Sequence, residues 1–82
     1  MTIKILCFNQ ETNMVDFQVD YSENKWERFR DVRFIKKEDG RKWLNVWSSK
    51  RDEKFIPKYE RSPPLSKLFA EVLKVLEQDY DV

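Results

Sequence analysis

Ser48-Ser49-Lys50-Arg51, followed by Lys54, crowds hydroxyls and cations into a few consecutive residues. At a strand-to-loop junction such groups can neutralise and hydrogen-bond phosphate oxygens. Arg offers a planar fork of donors, and Lys a mobile point charge. The same residues would also make a solvated polar turn, and Asp52-Glu53 among them opposes their field. Lys36-Lys37 and Arg41-Lys42 flank Glu38-Asp39-Gly40 and offer either a second phosphate contact or solubilising ends. Arg28, Arg30 and Arg33 form a third basic series. Asp31 beside them reads as an ion-pair partner, because no second acid or base accompanies it at a catalytic spacing. On residue chemistry alone the candidate phosphate contacts are Lys50, Arg51 and Lys54, helped by Arg41 and Lys42, with the solvated polar turn as the open alternative.

The residues that are missing narrow the chemistry further. The 82-residue chain has no His, which removes the commonest general base and the Ser-His and Cys-His devices. Cys7 is the single cysteine, so neither an internal disulfide nor a Zn ligand set is expected. Gly40 is the single glycine, so there is no Gly-rich phosphate loop. No apolar run approaches the ~20 residues of a membrane span, and the first residues lack the pattern of a signal peptide. The expectation is a cytoplasmic, non-enzymatic single domain over residues 1–82, with no metal, cofactor, membrane contact or small-molecule substrate. An apolar content of 40% with 15% aromatics argues against disorder, although 38% of residues are charged.

A net charge of +1 conceals an uneven distribution. Residues 1–24 carry one base against four acids, and residues 62–82 two against four. Residues 25–61 carry 13 bases against 7 acids. A basic middle between acidic ends points to a polyanion partner, while mixed charge that merely keeps the surface hydrated remains the plainer alternative.

The elements that must position these residues follow from periodicity. Residues 3–8 are an apolar run and read as a strand. Residues 14–21 alternate, with Val15, Phe17, Val19 and Tyr21 on one face and Asp16, Gln18 and Asp20 on the other. Residues 26–36 form a third strand whose alternation slips, since Phe29 is out of phase with Val32 and Phe34. A bulge near Arg30–Asp31 would restore the phase. Asp39-Gly40 marks a hairpin, because Gly tolerates the positive φ such turns require. Residues 43–48 form the fourth strand and 55–59 a fifth, with Pro57 placing that one at an edge. From Leu65 the period becomes helical: Leu65, Leu68, Phe69, Val72, Val75, Leu76 and Tyr80 make one stripe. Ser62 suits an N-cap and Pro63-Pro64 a first turn, giving a helix over about 63–79. The fold class is α+β: an antiparallel meander of about five strands with one C-terminal helix on one sheet face. Cys7 reads as a small buried hydrophobe.

The other sheet face has no element to cover it. Leu44 and Val46 point toward the helix, and Trp43 and Trp47 point away. The two indoles pack in a dimer interface, are covered by Tyr21 or Trp26, or stack on nucleobases. A chain of 82 residues buries only about 60–65% of its unfolded surface, so a homodimer interface is the expected source of further burial.

The stretch from Phe29 to Ile35 (Phe-Arg-Asp-Val-Arg-Phe-Ile), then Gly40, then Trp47-Ser48-Ser49-Lys50-Arg51, and finally Lys67-Leu68-Phe69-Ala70-Glu71-Val72-Leu73, resembles the stage V sporulation protein G family of septation regulators. The resemblance spans about residues 3–77. It implies a homodimeric bacterial regulator that binds DNA and RNA through Ser49, Lys50, Arg51 and the following base, Lys54. Leu44-Asn45-Val46-Trp47-Ser48-Ser49-Lys50-Arg51 ahead of a final helix is also similar to the PUR domains, which dimerise and bind single strands. Both resemblances imply a nucleic-acid partner. The alternative is an inhibitor or adaptor module that docks another protein on its Trp43/Trp47 face.

Overall fold

The computed structural model describes residues 1–45, 50–55 and 65–82, with residues 50–55 described by their backbone pairing. The elements in order are β1 (Thr2–Asn9), β2 (Met14–Ser22), β3 (Lys25–Lys36), β4 (Lys42–Asn45), β5 (Lys50–Phe55) and α1 (Leu65–Tyr80). All strand pairings are antiparallel. β1 pairs β2, and β2 pairs β3 along one edge. The opposite edge of β3 carries both remaining strands, β4 alongside Arg33–Lys36 and β5 alongside Trp26–Arg30. The sheet is therefore four strands wide, and its last position is occupied by two segments end to end. This corrects the expected five-strand meander. Residues 50–54, expected as a loop ahead of a strand at 55–59, are themselves strand: β5 over 50–55 pairs β3 and continues the path of the fourth strand instead of adding a width. The expected strand residues 46–48 and 56–59, and the helix start at Ser62, Pro63 and Pro64, lie outside the described residues.

Two bulges adjust the alternation to the core. Val15 stands opposite Val32 and Phe17 opposite Phe29, so β3 spends three residues where β2 spends two. The inserted residue is at Arg30–Asp31, as the slipped periodicity requires, and Asp31 takes φ 56°. Its N–H donates to Asp16 Oδ1 at 3.0 Å, which replaces the ladder bond a bulge interrupts. In β1 the register shifts between Ile5 and Cys7. Leu6 is the inserted residue there, so Leu6 and Cys7 are both exposed before Phe8 turns back to the core. The expectation of a buried Cys7 fails for that reason. Strict alternation along residues 3–8 does not survive a bulge.

The left-handed geometry of Asp31 predicts a specific stability pattern. Asp31→Gly should leave the unfolding free energy from urea titration within about 0.5 kcal/mol of the parent, because Gly adopts positive φ without a Cβ clash. Asp31→Val should cost about 1–2 kcal/mol, the penalty for a β-branched residue in that region. Equal midpoints for the two variants would contradict the bulge.

The core lies between one sheet face and α1. Val15, Phe17 and Val19 from β2, Phe29, Val32 and Phe34 from β3, and Leu44 from β4 are buried against Leu68, Phe69, Val72 and Leu76. Phe17 and Phe29 stack at 5.0 Å, and Phe69 meets both edge-on at 5.4 Å. At the far end Phe8 packs edge-on against Phe34 and Tyr80. The helix closes at Asp81, whose φ of 53° and N–H bond to the Glu77 carbonyl at 3.0 Å form a left-handed cap. No helix of the described residues is long and apolar enough to cross a membrane.

Candidate nucleic-acid interface

The turn between β3 and β4 is built by Asp39 and Gly40. Gly40 takes φ 93° and its N–H donates to the Lys37 carbonyl, while Lys37 N–H donates to the Arg41 carbonyl. Asp39 accepts from the Arg41 backbone at 3.0 Å and from its Nε at 2.8 Å. Lys42 turns toward the helix: its Nζ donates to the Val82 carbonyl at 2.9 Å and lies 3.6 Å from Glu77. Both hairpin bases thus have anionic or carbonyl partners within the chain.

The hairpin pair and the β5 bases share one sheet edge but occupy its two halves. Lys42 stands opposite Lys36, while Lys50, Arg51 and Lys54 stand opposite Arg30, Phe29 and Glu27. From Lys36 to Glu27 is nine residues of β3, about 30 Å at the rise of a strand. The candidates therefore form two groups along an edge and not one knot of charge. Ser49 and Trp47 lie outside the described residues.

A basic series on the open face was named in the sequence but not assigned to the site. Arg28 and Arg30 flank the buried Phe29, and Arg33 lies between the buried Val32 and Phe34. The bulge at Asp31 returns Arg33 to the face of the other two, so the three arginines follow one line along β3. The slip in alternation that predicts the bulge also contained this information. Arg28 donates from Nε and Nη2 to Gln18 Oε1 at 3.2 and 2.8 Å, and its guanidinium lies 5.3 Å from the Trp26 ring. Gln18 in turn donates to Asp20 at 2.8 Å. Arg30 lies 3.7 Å from Asp16, and Lys4 lies 3.7 Å from Asp20. Across this face an acidic strand, β2, runs between cations on β1 and β3.

Trp26 and Trp43 bracket the arginine line. Trp43 stands opposite Ile35, is 37% exposed, and has Lys37 Nζ 6.0 Å from its ring. Tyr21 packs against the core on the helix side, and Trp26 is nine β3 residues away from Ile35. Neither Tyr21 nor Trp26 covers Trp43, and the same expectation for Trp47 lies outside the described residues. On the core side Glu27 is buried at Lys54's register position, and the Tyr21 hydroxyl donates to its Oε1 at 2.9 Å.

No protein-family model matches the chain, and no curated protein or solved structure matches it.

Proposed function

We propose that this protein is a small cytoplasmic, non-enzymatic regulator that binds DNA or RNA as a homodimer. The observation that carries the reading is the line of Arg28, Arg30 and Arg33 on the sheet face opposite α1, which no element among the described residues covers, beside the edge that holds Lys50, Arg51 and Lys54 in β5. Phosphates can be met by this series of cations, and bases by Trp43 or Trp26. The hairpin bases Arg41 and Lys42 lie toward the other end of the same edge, and Ser49 next to Lys50 in the sequence is proposed as a further contact. The test is binding of generic oligonucleotides at several salt concentrations. Phosphate-driven binding should weaken steeply as salt rises, with log affinity falling linearly against log salt. An absence of binding at low salt overturns the reading.

One observation favours a second reading, a protein-docking module: Trp43 is 37% exposed on a face with no covering element among the described residues. An apolar protein contact would show little salt dependence.

Assembly supplies a separate prediction. The protein should elute as a dimer of about twice its 10.1 kDa chain mass, through the open face or the sheet edges. Light scattering behind a sizing column at micromolar concentration measures this. A monomer mass that does not change with concentration would remove the dimer.

A further inference from the structure

We infer that Asp16 is an intramolecular competitor for phosphate, a carboxylate that occupies Arg30 in the free protein and lowers its affinity for nucleic acid. The inference rests on the nucleic-acid reading and concerns how that site is regulated.

Asp16 uses its two oxygens for different tasks. Oδ1 accepts the Asp31 N–H at 3.0 Å and holds the bulge. Oδ2 lies 3.7 Å from Arg30 Nη1, at the middle of the arginine line. At that distance the pair is a charge–charge contact and not a hydrogen bond, so Asp16 offsets the charge that a phosphate would otherwise meet at Arg30. The pair is only partly buried, with the Arg30 side chain 42% and Asp16 23% exposed. An incoming polyanion can therefore reach Arg30 but must overcome the fixed charge of Asp16. The bulge explains why an acid is held there: its backbone donor needs an acceptor, and the charge on that acceptor is additional to the need.

Asp16→Asn separates the two tasks. The amide oxygen can still accept from Asp31, while the negative charge is lost. The measurement is binding of a fluorescent oligonucleotide across several salt concentrations, alongside a urea midpoint. Asp16→Asn should tighten binding about five- to eightfold at 0.1 M salt and steepen the log–log salt slope by about 0.7–0.9, the signature of one more phosphate-neutralising cation. Glu71→Gln controls for net charge. Glu71 is on α1, where it pairs with Lys74 at 3.4 Å, on the other side of the molecule. It should leave both affinity and slope unchanged.

Unchanged or weaker binding by folded Asp16→Asn overturns the inference and leaves the nucleic-acid reading standing. Equal tightening by Glu71→Gln also overturns it, because the effect is then bulk charge. If Asp16→Asn unfolds, Asp16→Ser decides instead: it keeps an oxygen acceptor beside the Asp31 N–H without the charge and should tighten binding and steepen the slope in the same direction, and unchanged or weaker binding by the folded Ser variant would overturn the inference. A parent protein that binds no oligonucleotide overturns the inference together with the functional reading on which it rests.

Discussion

Phe29→Ala should lower the unfolding free energy by about 3–5 kcal/mol. Phe29 is fully buried and belongs to a three-ring cluster, stacked on Phe17 and met edge-on by Phe69 from the helix. Removing it withdraws one ring from both contacts and opens a cavity at the junction of sheet and helix. The surroundings cannot easily collapse into that space, because the Asp31 bulge sets the neighbouring backbone. A domain of this size has a total stability of roughly 4–12 kcal/mol, so the variant stands close to unfolding. Leu76→Ala and Leu68→Ala, both fully buried on α1, should cost about 2–5 kcal/mol each. Urea titration followed by far-UV circular dichroism measures all three. A midpoint unmoved by the helix variants would mean that α1 is not docked on the sheet.

The largest binding effect is expected from Lys50→Ala/Arg51→Ala. If each side chain contacts one phosphate, removing both should reduce the salt slope by about 1.4–1.8, twice the value for a single contact. Extrapolated from 1 M to 0.1 M salt, that slope difference is a loss of roughly 25–60-fold in affinity. The two residues occupy consecutive positions in β5, opposite Arg30 and Phe29. The double change tests the edge strand as a unit, whichever face of the sheet the nucleic acid prefers. Measured by anisotropy on a folded variant, an unchanged slope would exclude this strand from the interface. Arg33→Ala, on the open face, then becomes the comparison. A slope reduced by Arg33→Ala but not by the double variant would move the contact from the sheet edge to the arginine line.

Local chemistry in the sequence was enough to determine the antiparallel strands, the Asp39-Gly40 turn, the β3 bulge and the helix stripe. Each follows from spacing: period two in β2, a single slip around Asp31, and helical spacing from Leu68 to Leu76. The sequence also placed Leu44 and Val46 under the apolar face of the helix; Leu44 is buried in the core with Leu68, Val72 and Leu76, Val46 lies outside the described residues, and the packing of Phe17 and Phe29 on Phe69 came from the tertiary structure. It could not determine the width of the sheet. Local chemistry reads 50–54 as a loop and 55–59 as the fifth strand, because Lys50–Lys54 has no apolar alternation; the strand at 50–55 is a long-range choice, pairing with the free half of the edge of a twelve-residue β3 that is longer than β4. Nor could it show that Leu6 is an inserted residue. Leu, Cys and Phe are all acceptable on a buried face, and only the register against β2 exposes Cys7. For the site, composition identified basic segments but not their spacing in the fold. Tertiary structure placed Arg41 and Lys42 some 30 Å along the edge from Lys54, directed Lys42 to the helix, and brought Arg33 into line with Arg28 and Arg30. The physical reason is common to all three. A side chain's face depends on its own strand's periodicity, whereas its neighbours depend on which strand edges pair and where an extra residue shifts the register.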